Sequence, residues 1–258
     1  MRRGPGLLLV AVGIALAASA AASAQAGWKE REAKATRYAE DRAGVESFAL
    51  VDERGKIHAY RGWKRAPSAS LLKAMLLVAY LNRSSVKGRA LTDADRGLLR
   101  PMIRWSDNAT ATQVLGIVGE SGLNRVARRA DMLHFRLRSP WGLSTTSARD
   151  QARFFWRIDR LVPARHRPYA LRLLNRIVPA QRWGIPLVKP RRFTIYFKGG
   201  WGSGTGWVTH QSALLRRGER RISVSVLTRW NPSHDYGTRT IQGIAGRLLR
   251  QPLPQPPE

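Results

Sequence analysis

The hydrophobic period of this 258-residue chain changes twice, and that change limits the fold more than any other feature. Near the start, "ESFALVDERGKIHAYRG" (Glu46 to Gly62) alternates over about 47–52 and 56–61 around a turn at Asp52, Arg54 and Gly55, which predicts a β-hairpin. Near the end, "RFTIYFK" (Arg192 to Lys198), "GWVTHQSALL" (Gly206 to Leu215) and "RISVSVLT" (Arg221 to Thr228) alternate again, with short connections. Helical spacing fills the middle. Strands joined by short turns are antiparallel. The simplest arrangement joins the first hairpin to the last three strands in one five-stranded antiparallel sheet. Terminal helices then cover one face and the helical middle the other, giving an α/β (α+β) sandwich.

The helical segments are bounded as follows. "WKEREAKATRYAEDRAG" (Trp28 to Gly44) predicts an amphipathic opening helix. A second helix opens at Ser70 and runs to about Asn82, followed by a polar loop, "NRSSVKGRALT". "DADRGLLRPMIRWSDNATATQVLGIVG" is largely helical with a break expected near Pro101, and "SGLNRVARRADM" is a further short helix. Thr145 to Val162 begins with capping hydroxyls; "PYALRLLNRIV" and "YGTRTIQGIAGRLLR" complete the set. "QPLPQPPE" (250–258 with Arg250) is expected to be a flexible tail, leaving 27–249 as one domain. Residues 1–26 have Arg2 and Arg3, an apolar stretch from Leu7 to Ala18, and small residues around Ala24 and Ala26. That is the pattern of a cleaved export signal, so a secreted or periplasmic location is expected.

Zero cysteines remove thiol chemistry and Cys-bound zinc, and the five scattered histidines form no His-x-x-x-His pair; no metal or cofactor is expected. The net charge is +28, or +26 once Arg2 and Arg3 are removed, a field that attracts polyanions. The arginines form no compact tract. Anionic cell-wall polymers fit an exported chain as partners better than any specific nucleic acid, and a monomer is expected.

"SASLLKAMLLVAY" (Ser68 to Tyr80) sets Lys73 inside an apolar run, three residues after Ser70. On a helix that spacing puts both side chains on one face. Free N–H groups at the first turn can stabilise an oxyanion. A serine needs a base, and a desolvated lysine loses preference for its charged form. A second Ser-x-x-Lys, Ser84 to Lys87, falls in the polar loop without helical support. "RWSDNATATQVL" contains Ser106-Asp107-Asn108, and "YFKGGWGSGTGW" sets Lys198-Gly199-Gly200 at the end of a strand.

In that order, Ser-x-x-Lys, Ser-Asp-Asn and a late Lys-x-Gly resemble the motif set of the penicillin-recognising serine hydrolases, which include class A β-lactamases and D-Ala-D-Ala peptidases. The resemblance spans about Glu46 to Leu249. It implies a sandwich beside an all-helical lobe, with the site between them. It implies Ser70 as acylated nucleophile and Lys73 as its base. Ser106 becomes the proton carrier to the leaving nitrogen, and Asn108 orients Lys73 and the substrate amide. Lys198 supplies charge at the substrate carboxylate. The N–H groups of Ser70 and Trp201 form the oxyanion hole, with Gly200 beside them. Trp105 and Trp201 flank motif residues as cleft walls, whereas Trp207 is read as core packing. The implied substrate is a β-lactam or a cell-wall peptide; the rival reading is a non-catalytic basic wall-binding protein that keeps the fold.

Three features depart from the resemblance. Gly199 carries no hydroxyl where threonine or serine is expected; Ser203 or Thr205 is a possible substitute, and "GGWGSGTG" also fits a flexible turn. Ser70 and Ser106 are 36 residues apart, so the helical lobe is trimmed. No glutamate occurs between Glu120 and Glu219, and the stretch where class A enzymes keep their water-activating glutamate offers Asp131 alone. Slow deacylation is therefore expected.

Overall fold

The computed structural model describes residues 27–254; the export signal expected at 1–26 lies outside the described residues. Helix α1 covers 27–40 and leads into the hairpin of β1 (Val45–Val51) and β2 (Ile57–Tyr60). Asp52 shapes the turn, its Oδ1 accepting from the Arg54 and Lys56 amides. At the other end stand β5 (Thr194–Gly202), β6 (Val208–Arg217) and β7 (Arg220–Arg229). All neighbours are antiparallel in the order β2-β1-β7-β6-β5, so the hairpin joins the late strands through β1 and β7 as expected.

Both sheet faces are covered. On β1, Phe48 and Leu50 join the cluster that includes Ile241, Ile244 and Leu248 of α9 (His234–Leu248). Ala49 and Val51 face the other way, toward Ala148 and Ala152 of α6 (Ala148–Leu161). Asp159 fixes α6 to the sheet through Arg221 (2.8 Å) and Arg216 (3.2 Å). Helices α2 (Leu72–Leu81), α4 (Asp93–Arg104), α5 (Asn108–Arg129) and α7 (Arg167–Asn175) build the helical side; α3 (Ser84–Lys87) and α8 (Ile185–Val188) are single turns. Thr92 and Asp95 form a capping box at α4, and Asp107 caps α5 through the Thr110 amide.

Several expectations are corrected. Pro101 does not break the helix: α4 runs through it, with Gly97 at the position whose carbonyl the ring crowds, and ends at Trp105. The further helix expected over 121–132 is borne out: α5 is interrupted by non-helical backbone at Gly119 (φ 64°), and its second part supplies that helix, to Arg129. The loop after α2 contains α3, but Ser84 and Lys87 on it are exposed and Val86 alone is buried. The glycine-rich stretch continues β5 to Gly202, and the turn is confined to about 203–206. The expected flexible tail packs as far as described: Leu253 is buried in the core, and Arg31 donates to the carbonyls of Arg250 and Pro252. Two two-residue strands not legible in the sequence, β3 (Ala66–Pro67) and β4 (Thr145–Thr146), pair just before the nucleophile turn.

Candidate active site

All ten residues of α2 are buried, Lys73 among them, so this is a core helix rather than an amphipathic one. Its six large apolar side chains contribute roughly 10–15 kcal/mol by transfer, against a few kcal/mol for desolvating one amine. The core can hold Lys73 in place. Ser70 precedes α2 on a 3-10 turn (Ala69–Leu71) rather than on the α-helix itself, and is half-buried at the cleft. Ala69 is held at φ 43°, in the left-handed region, immediately before the serine.

Lys73 Nζ donates to Asn108 Oδ1 (2.7 Å), to Ser106 Oγ (3.0 Å) and to the Ser106 carbonyl. Ser106 sits at φ 61° between α4 and α5, which lets its hydroxyl and carbonyl both face the lysine. From the opposite wall, Lys198 on β5 donates to the same Ser106 Oγ (3.0 Å) and to the Gly199 carbonyl (2.7 Å). Both lysines are fully buried. Burial lowers the Lys73 pKa to about 8, with Asp107 drawing it partly back up. Burial, and then the charge of Lys73, hold Lys198 well below the ordinary lysine value.

A cleft of about 440 Å³ opens over this group, lined among others by Ser70, Asn108, Trp141, Leu143, Trp201 and Thr205. Gly200 lies against the turn that carries Ser70. A Cβ there would lie 2.8 Å from the Ser70 nitrogen and 3.1 Å from the Leu71 nitrogen, so β5 and the nucleophile turn meet at glycine-only spacing. Five predicted residues thus converge: Ser70, Lys73, Ser106, Asn108 and Lys198. Trp201 lines the cleft and is 38% exposed. Trp105 does not line it; its exposed ring lies between Arg100 and Arg104. Trp207, read as core packing, is instead 55% exposed. Asp131 points elsewhere: it pairs with Arg157 (2.6 Å) and lines a separate cavity with Val51, Ile57 and Trp156.

Three contributors were missed. Trp141 stacks its ring 5.2 Å from Lys73 Nζ and donates to Thr112 Oγ1. Trp183 lies against Gly199, where a Cβ would come within 3.1 Å of the indole, filling the place of the expected hydroxyl side chain. His210 faces Gly200 across the ladder. Its Nε2 donates to the Pro67 carbonyl (3.0 Å) and its Nδ1 accepts from the Thr228 amide (3.1 Å). Burial lowers its pKa to about 4, consistent with this neutral tautomer, and it ties the sheet to the segment that delivers Ser70. The one available signal for His210 was a histidine in an otherwise buried strand pattern.

The sandwich, the helical side and the converging Ser70, Lys73, Ser106, Asn108 and Lys198 define a penicillin-recognising serine hydrolase. The model of the beta-lactamase enzyme family matches residues 96–251, more than half the chain, and the chain belongs to that family. The matched region includes Ser106, Asn108 and Lys198 and begins after Ser70 and Lys73. Among solved structures, the β-lactamase of Sphaerobacter thermophilus superposes with a TM-score of 0.73 at 19% identity, over 86% of this chain and 97% of that one. An ancestral class A β-lactamase gives 0.71 at 21%, over 84% and 98%. The structure of PBP-A gives 0.70 at 16%, over 85% and 94%. These similarities establish the shared fold. A search of curated proteins found no match.

Proposed function

We propose that the protein is exported and that its Ser70 is acylated by a β-lactam or a peptidoglycan-type amide, with slow release of the acyl group. The observation that carries this reading is Ser106 Oγ held between the two buried amines of Lys73 and Lys198. Lys73 in its neutral form takes the Ser70 proton as Oγ attacks the carbonyl carbon. The C–N bond then breaks, Ser106 passes its proton to the leaving nitrogen, and Ser106 is reprotonated from the lysine side. The amides of Ser70 and Trp201 hold the oxyanion; β5 is the edge strand, so part of its backbone is free of ladder partners. Asn108 orients Lys73, and Lys198 supplies charge toward the substrate carboxylate. With Trp183 against Gly199, the hydroxyl best placed to help bind that carboxylate is Thr205, which lines the cleft; Ser203 does not line it.

Slow release is supported by the cleft lining, which among the described residues includes no carboxylate. General-base help to the deacylating water is commonly worth about 10²–10⁴ in rate. Export, and attraction to anionic wall polymers, are supported by the signal-like first 26 residues and the +28 net charge. Labelling with a fluorescent penicillin tests the assignment. Wild type is expected to be marked, Ser70→Ala unmarked, and Lys73→Met marked several orders of magnitude more slowly. Equal labelling of Ser70→Ala refutes it.

A further inference from the structure

Trp201 also lines a second hollow, of about 180 Å³, with room for about one six-membered ring. Its walls are Trp201, Trp207 and His234, with Ser203 at its polar edge. Trp201 lines both hollows, and the 203–206 turn separates them. A substrate seated on Ser70 reaches the second hollow by passing over one indole.

The backbone holds this hollow open under strain. Trp207 is at φ 50° and Trp230 at φ 57°, where bulky residues are rare. Each is 55% exposed, so core packing does not reward the strain. The loops brace one another instead. The Trp230 amide donates to the Gly206 carbonyl (2.9 Å), and Asn231, itself buried, donates from Nδ2 to the Trp207 carbonyl (2.8 Å). The Trp230 ring lies against Gly206, where a Cβ would sit 3.3 Å away. Trp183 supports the inner wall edge-on, 6.1 Å from Trp201 and 5.3 Å from His234. Strained residues held by their surroundings concentrate where ligands bind.

We infer that this hollow is a sugar subsite, in which the pyranose ring of a cell-wall glycan packs against the Trp201 and Trp207 indoles while the reacting amide lies at Ser70. A pyranose has an apolar C–H face and a hydroxyl edge. The indoles suit the face. The edge meets Ser203 and His234, whose Nδ1 is paired with the hydroxyl of the buried Thr209 (3.2 Å) and whose Nε2 has no partner among the described residues. An aryl ring would leave those polar groups unmatched. The inference deepens the acyl-enzyme reading, on which it rests for the placement of the reacting end.

Calorimetric titration of the full chain carrying Ser70→Ala with N-acetylglucosamine tetrasaccharide tests it. This protein cannot be acylated, so the result is independent of whether penicillin labels Ser70 in wild type. Saturable binding is expected, weakened at least tenfold by Trp207→Asn, which removes the indole with a residue that tolerates the left-handed backbone, and also by His234→Ala. Unchanged melting temperatures show that these variants fold. The inference is overturned if the tetrasaccharide fails to bind at millimolar concentration, if both variants bind it as before, or if p-nitrophenol saturates the hollow and the tetrasaccharide does not.

Discussion

Lys73 and Lys198 aim their amines at one oxygen, Ser106 Oγ, each from 3.0 Å. The two nitrogens are therefore no more than about 6 Å apart. At an effective dielectric near 20, two full charges at that separation repel by about 3 kcal/mol, and burial penalises each further. One amine is readily neutral, as a serine-activating base must be.

The acylation rate is expected to rise with pH and level off above about 8, as Lys73 loses its proton. Asp107 draws the Lys73 pKa upward, so Asp107→Asn, which keeps an acceptor for the α5 cap, shifts the midpoint to lower pH. Stopped-flow acylation from pH 6 to 10 measures it; an upward shift contradicts the assignment of Lys73 as base.

The same burial makes the site costly for the fold. A lysine whose pKa is lowered on folding binds fewer protons folded than unfolded. For Lys73, stability should therefore rise with pH from about 8 to the ordinary lysine value of 10.5. Lys198→Met is expected to raise Tm by a few degrees, about 2–4 °C per kcal/mol for a domain of this size, while abolishing acylation. Calorimetry beside labelling checks both; a lower Tm shows that the lysine's hydrogen bonds outweigh its desolvation.

Gly200→Ala is expected to reduce acylation at least 10²-fold, because its Cβ pushes β5 from the Ser70 turn, at a stability cost of about 1–3 kcal/mol. Gly116→Ala on α5, with nothing within 4 Å of its Cβ, is expected to be neutral or stabilising by up to about 1 kcal/mol. Labelling rates and urea midpoints separate the two effects; normal acylation in Gly200→Ala would show that the contact relaxes without consequence.

The grouping of Ser70, Lys73, Ser106, Asn108 and Lys198 was legible because short motifs in a fixed chain order mark them, and the five strands because alternation is a local signal. Trp183 was not legible: it lies sixteen residues before Gly199 and meets it through loop geometry that no local period encodes. Trp207 misled because large aromatics usually pack inward, whereas two braced loops hold this one outward. Pro101 misled because proline is a local breaker, and here the surrounding helix tolerates it. Leu253 was hidden in a proline-rich tail whose docking depends on Arg31, more than 200 residues away.

Asp131 was the one acid that the sequence offered in place of the glutamate. Its pairing with Arg157 in a separate cavity predicts that Asp131→Asn leaves the slow deacylation rate unchanged. A tenfold drop in that rate, followed by nitrocefin absorbance after the initial burst, would show that the carboxylate reaches the acyl group.

Ser70 is expected to form an acyl-enzyme readily and to release it slowly. Time-resolved intact-mass spectrometry of the purified protein with benzylpenicillin tests it most directly. The expected result is one adduct of the antibiotic's mass that outlasts removal of free drug in wild type and is absent from Ser70→Ala. An adduct that persists in Ser70→Ala, or wild type that consumes the drug at tens of turnovers per second with no detectable adduct, would contradict it.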